Sequence, residues 1–122
     1  MKTILLSIKP KYADQIFAGT KKYEFRRKFP IGVKNRVLVY SSSPIKKVIG
    51  YFDTGEIIVG PPNTIWNDTH LLAGIDDKSF FEYFAGTDKA LAISILNPVL
   101  LVNPCELYQF GVKNAPQSYM YL

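Results

Sequence analysis

Between Gly19 and Arg26 the chain places a lysine, a carboxylate and an arginine close together: Lys21, Glu24 and Arg26. A flexible ammonium and a planar guanidinium both bind phosphate or carboxylate groups. A carboxylate between them can hold their orientation or accept a proton. The same three side chains could equally form surface ion pairs on one strand face, which contribute little. A second group lies near the C-terminus. Gln117 offers an amide donor and acceptor suited to a base edge, and Tyr119 could stack a base. Ser118 could hydrogen-bond a phosphate, or attack a carbonyl if a base activated it. Tyr40, Ser41 and Ser42 fall where a strand runs into a loop, a place from which small polar groups reach a ligand, although plain turn chemistry accounts for them as well.

The charge distribution sharpens this reading. Residues 1–50 carry twelve Lys/Arg and two acids, a net of +10, whereas residues 51–122 carry three Lys and eight acids, a net of −5. A basic half on a small chain implies a polyanionic partner, with nucleic acid the first expectation. Arg27, Lys28, Lys46 and Lys47 would supply a phosphate-tracking surface, together with Lys34 and Arg36. Such contacts fix position without reading sequence. The lone Cys105 excludes an internal disulfide and fits a reducing, cytoplasmic setting. With one Cys and one His (His70) a structural zinc site is not expected, and neither a metal nor another cofactor is called for. A Ser-His-Asp triad has only His70 to draw on, far along the chain. No apolar run is long enough for a membrane helix, so no membrane partner is expected. The opening segment is too short for a signal-peptide core.

The 122 residues fit one domain, 1–122. Residues 3–8 read as a buried strand. Pro10 opens a helix whose stripe is Tyr12, Ala13, Ile16 and Phe17, ended by Gly19. Over residues 21–29, Tyr23, Phe25 and Phe29 alternate with polar residues, which puts Glu24 and Arg26 on the opposite face. A third strand covers residues 36–40. Residues 45–59 are extended, with a bulge or bend expected at Gly50 or Gly55. Two short helices over 64–73 and 76–85 follow, the second capped by Asp76 and striped by Phe80, Phe81 and Phe84. A buried strand over 90–96 continues past Pro98, and the tail forms a last strand. About six strands and three short helices, with strands in direct succession, make an α+β fold around a mostly antiparallel, curved sheet.

Gly19-Thr20-Lys21-Lys22-Tyr23-Glu24-Phe25-Arg26 matches G-x-K-x-x-E-x-R. This resembles the signature of the ASCH domain family, which is related to the PUA RNA-binding domains. Further segments resemble the family in the expected order: Leu5-Leu6-Ser7-Ile8-Lys9-Pro10, Val39-Tyr40-Ser41-Ser42-Ser43-Pro44, Tyr83-Phe84-Ala85-Gly86 and Pro116-Gln117-Ser118-Tyr119. The resemblance implies a PUA-like small β-barrel with a cleft between the first helix and the barrel, lined by Lys21, Glu24 and Arg26. It implies single-stranded RNA, or a nucleoside or nucleotide, as ligand. Some branches resemble hydrolases: an amidohydrolase acting on a modified nucleoside, or a ribonuclease. The amidohydrolase branch carries a threonine where this chain has Glu24, and acyl transfer to a carboxylate would give an anhydride. Glu24 is therefore read as orienting Lys21 or Arg26, or as bonding a base. In an enzyme using this cleft, Lys21 and Glu24 are the expected catalytic pair.

Overall fold

A computed structural model describes residues 1–122. Six strands form one curled sheet, a half-barrel, in the spatial order β2-β5-β4-β3-β1-β6. They are β1 (Lys2–Ile8), β2 (Tyr23–Arg26), β3 (Asn35–Ser41), β4 (Lys47–Gly60), β5 (Ala90–Cys105) and β6 (Tyr119–Tyr121). The helices are α1 (Pro10–Ala18), α2 (Pro62–Thr69) and α3 (Asp77–Tyr83). The α+β class, the curvature and the count of three short helices are as the sequence predicts. Every strand pair is antiparallel except β1 with β3. No helix is long and apolar enough to cross a membrane.

The parallel pair exists because α1 intervenes between β1 and the rest of the chain, so the chain returns to β1 by a crossover. Pro10 sits at the first turn of α1, and Gly19, at φ 83°, closes it with its N–H on the Gln15 and Ile16 carbonyls. α1 lays Ala13 and Ile16 on the main core of Ile4, Leu6, Ile8, Val37, Val39, Phe52, Leu91 and Ile93. Its Phe17 ring crosses β4 so closely that a Cβ on Gly50 would lie 2.5 Å from Phe17 and from the Val99 carbonyl oxygen. The register of β4 shifts on either side of that glycine and again beside Gly55, where the sequence places bends.

A second core, Phe25, Ile65, Ala73, Phe80 and Phe84, joins β2 to α2 and α3. Asp76 caps α3 by accepting from the Ser79 N–H at 2.7 Å. Two boundaries differ from the sequence reading. β2 covers only Tyr23–Arg26, and Phe29 reaches the main core from the loop beyond it. The second helix ends at Thr69 and tightens into a 3₁₀ turn, His70–Leu72. β5 continues past Pro98, as the sequence predicts, and runs on to Cys105.

Candidate functional site

The junction between α1 and β2 is held down by the segment linking α2 to α3. Lys22 N–H donates to the Leu72 carbonyl at 2.9 Å, and Lys21 Nζ donates to the Ala73 carbonyl at 2.5 Å. Lys21 is thereby 2% exposed. Its ammonium lies 5.1 Å from the Tyr12 ring centroid and 5.0 Å from that of Phe25. It makes no ion pair; the three ion pairs of the molecule are Arg26–Glu24, Arg36–Asp53 and Lys47–Glu106. Burial lowers the Lys21 pKa, Glu24 partly opposing and Arg26 adding to the shift.

Glu24 and Arg26 lie beside it on β2. Arg26 Nε donates to Glu24 Oε2 at 3.0 Å, and Nη2 reaches the same oxygen at 2.9 Å and the Ser7 carbonyl at 2.6 Å. The pair is nearly enclosed, with side-chain exposures of 13% and 8%. One carboxylate oxygen, Oε1, and one guanidinium nitrogen, Nη1, keep free hydrogen-bonding capacity, as do two of the three Lys21 N–H groups.

These three side chains floor a cavity of about 510 Å³, inside the range of about 300–1,000 Å³ usual for small-ligand sites. One wall is the end of β1 and the start of α1, with Ser7, Ile8, Lys9 and Tyr12. The facing wall is α3 and its approach, with Ile75, Ser79, Glu82 and Tyr83. The Tyr12 pKa is raised, first by burial and then by the Asp76 and Glu24 charges. The floor thus offers hydrogen-bond donors and one acceptor, and the walls offer aromatic faces. That combination suits a nucleobase, a phosphate or both.

The remaining residues singled out in the sequence do not line this cavity. Tyr40 is buried on the other sheet face with Leu5, Val48 and Val112. Ser41 is 1% exposed, and its hydroxyl has no partner. Ser42 N–H donates to the Ile8 carbonyl at 3.0 Å, so the β3–β4 turn flanks the end of β1 that borders the cavity. Gln117 and Ser118 are exposed just before β6, and Tyr119 packs on Phe29 with ring centroids 5.7 Å apart. The tail is tied to the cavity rim by Ser7 Oγ, which donates to the Pro116 carbonyl at 2.9 Å. Arg27 donates to the Tyr83 carbonyl and Lys47 pairs with Glu106, whereas Lys28 and Lys46 are exposed and make no ion pair. His70 lies outside the cavity, with Nδ1 3.1 Å from the Trp66 carbonyl. No three His, Cys, Asp or Glu side chains converge as metal ligands, and Asp53 is held by Arg36 at 3.0 Å.

Sequence reasoning missed the whole α3 wall, Ser79, Glu82 and Tyr83. Phe80 and Phe84 mark the buried side of that helix, whereas Phe81, read as part of the same stripe, is exposed; the polar residues flanking Phe80 were a usable sign of the outer face.

A protein-family model described as "ASCH domain" matches residues 6–98. The chain is 31% identical over 125 residues to a protein named ASCH domain-containing ribonuclease from Zymomonas mobilis, covering 99% of this chain and 84% of that protein. It is 34% identical over 121 residues to the large ribosomal subunit protein uL22 of Ureaplasma parvum, covering 98% of this chain but only 39% of that longer protein. The crystal structure of ASCH from Zymomonas mobilis superposes with a TM-score of 0.91 at 31% identity, over 99% of this chain and 87% of that one.

Proposed function

The chain belongs to the ASCH domain family, and on that footing we propose that it binds RNA, one unpaired nucleotide unit entering the cavity floored by Lys21, Glu24 and Arg26. The observation that carries this reading is the buried, unpaired Lys21 ammonium beside the Glu24–Arg26 pair in an open cavity. An ammonium is costly to bury without a counter-ion, and a phosphate or a base carbonyl would satisfy its free N–H groups. Glu24 Oε1 accepts a base N–H. Outside the cavity, Gln117, Ser118 and Tyr119, tethered through Ser7, extend the surface from one side. The turn bearing Ser41, Ser42, Lys46 and Lys47 extends it from the other, with Tyr40 as its buried support. Lys28 and Lys46 track phosphates.

The relative named ribonuclease supports a second reading in which binding leads to cleavage. The neighbouring ribose hydroxyl attacks phosphorus, Glu24 takes the hydroxyl proton, and Lys21 and Arg26 stabilise the charge on the phosphorane. The ribose oxygen on the far side leaves with a proton from solvent, giving a cyclic phosphate and a free hydroxyl.

The test is a titration of labelled single-stranded RNA at several salt concentrations, with wild type and Lys21→Met side by side and each end point run on a denaturing gel. Binding that steepens at low salt and weakens with Lys21→Met supports the cavity. Shortened RNA, absent with Lys21→Met, supports cleavage. No binding above background at low salt overturns the RNA reading.

A further inference from the structure

The sequence assigns Arg27 to a phosphate-tracking surface, yet the structure gives it other work. Its guanidinium carbon sits 4.8 Å from the Tyr83 ring centroid, and its Nη2 donates to the Tyr83 carbonyl. Arg27 follows the last residue of β2, and Tyr83 is the last residue of α3. The contact therefore fastens the end of the β2 floor to the α3 wall of the cavity. Phe84 fixes Tyr83 from another direction, with ring centroids 4.8 Å apart and planes at 75°. Tyr83 nevertheless stays 39% exposed and lines the cavity. An arginine held by both a ring face and a carbonyl has lost much of the freedom it needs to follow a backbone phosphate.

A π-face and a guanidinium, already in contact and open to solvent, are the two kinds of surface on which proteins stack unpaired bases. Pre-orientation removes part of the ordering cost of that contact. We infer that the Arg27–Tyr83 stack is a base-stacking platform at the cavity mouth, with Arg27 positioning Tyr83, and that the site therefore takes an unstacked, unpaired base and refuses a duplex. This rests on the RNA reading above and adds a determinant that reading does not contain: Lys21 and Arg26 meet polar groups, whereas the platform meets the face of a base.

The probe is a short single-stranded RNA carrying a fluorescent purine analogue that is quenched by stacking, titrated against wild type, Tyr83→Phe, Tyr83→Leu and Arg27→Lys. Tyr83→Phe retains quenching and affinity. Tyr83→Leu keeps an apolar side chain at the helix end but loses the quenching and weakens binding about tenfold. Arg27→Lys keeps the charge, so the salt dependence stays while quenching falls. The same RNA annealed to its complement binds more weakly than the single strand. Quenching and affinity unchanged in Tyr83→Leu, with Lys21→Met still defective, would overturn the platform and leave the RNA reading standing. Absence of binding by wild type would overturn both.

Discussion

Lys21 Nζ donates to the Ala73 carbonyl oxygen, joining the start of β2 to the segment that leads into α3. One side chain thus both floors the cavity and holds up its far wall, and its two duties respond oppositely to pH.

Because burial lowers the Lys21 pKa, there is a window between that lowered value and the ordinary lysine value. Within it the unfolded chain holds the proton and the native state does not. Stability therefore rises with pH across the window and is flat below it, where both states are charged. RNA binding through the ammonium falls over the same rise. Tyr12, with a raised pKa, loses stability above the ordinary tyrosine value. The comparison is therefore Lys21 against Lys21→Met in a Tyr12→Phe background. Lys47, raised by Glu106, loses stability with rising alkaline pH in both proteins, so denaturant unfolding should show a stability difference, Lys21 minus Lys21→Met, that rises with pH across the window.

Glu24→Leu strips the acceptor from an arginine that is 13% exposed. Leaving a nearly buried charge unpaired should reduce stability by about 3 kcal/mol. Glu24→Leu combined with Arg26→Leu should recover much of that loss. A urea double-mutant cycle measures the coupling, and a coupling near zero would contradict the pair's structural role.

Gly74 adopts φ +65°, and a Cβ there would lie 2.5 Å from Gln15 Oε1 and 2.8 Å from Lys21 Cβ. Gly74→Ala should destabilise the fold by about 2 kcal/mol through the strained backbone and the contact together. It should also weaken RNA binding, because the displaced atom belongs to Lys21. Thermal unfolding and the RNA titration, run on the same sample, test both halves.

Lys28→Ala and Lys46→Ala should each reduce the slope of log affinity against log salt by about 1. Arg36→Gln should leave it unchanged, since Asp53 holds that guanidinium at 3.0 Å and the Tyr51 ring covers it at 4.5 Å. A slope unaffected by both lysine changes would move the RNA path to another face.

What could be read from the chain depended on how far apart the cooperating residues lie. Local signals held. Pro10 and Gly19 bound α1, Asp76 caps α3, and Gly50 and Gly55 mark irregular register. Within G-x-K-x-x-E-x-R, strand alternation puts Glu24 and Arg26 on one side of β2, whereas Lys21 lies before the strand and is brought to the same floor by its bond to the Ala73 carbonyl. Alternation alone misjudged how enclosed they are. Glu24 and Phe25 are both buried although they point opposite ways: Glu24, level with Ile93 of the main core, is closed in by Arg26 beside β1, and Phe25 is covered by Phe80 of α3, ring centroids 5.1 Å apart. That cover comes from more than fifty residues downstream, beyond any periodicity window. Arg27 was read as a free cation for the same reason: its partner, Tyr83, is far along the chain. The tail was read as a last strand without a partner. The structure supplies that partner in β1, and Tyr119 meets Phe29.

The pairing of β1 on one side with β3 and on the other with β6 has a consequence during synthesis. The segment Lys2–Ile8, with Ile4, Leu5 and Leu6 fully enclosed, is made before either strand that flanks it and is the last strand of the sheet to be covered on both edges. Its parallel neighbour must first be made and carried back past α1. Its antiparallel neighbour, β6, is made only after all the other strands, and the Leu122 N–H then bonds the Thr3 carbonyl at 3.0 Å. Until then a nascent chain carries an apolar strand with an open edge, the kind of segment that chaperones hold and that pairs with its like in crowded polysomes.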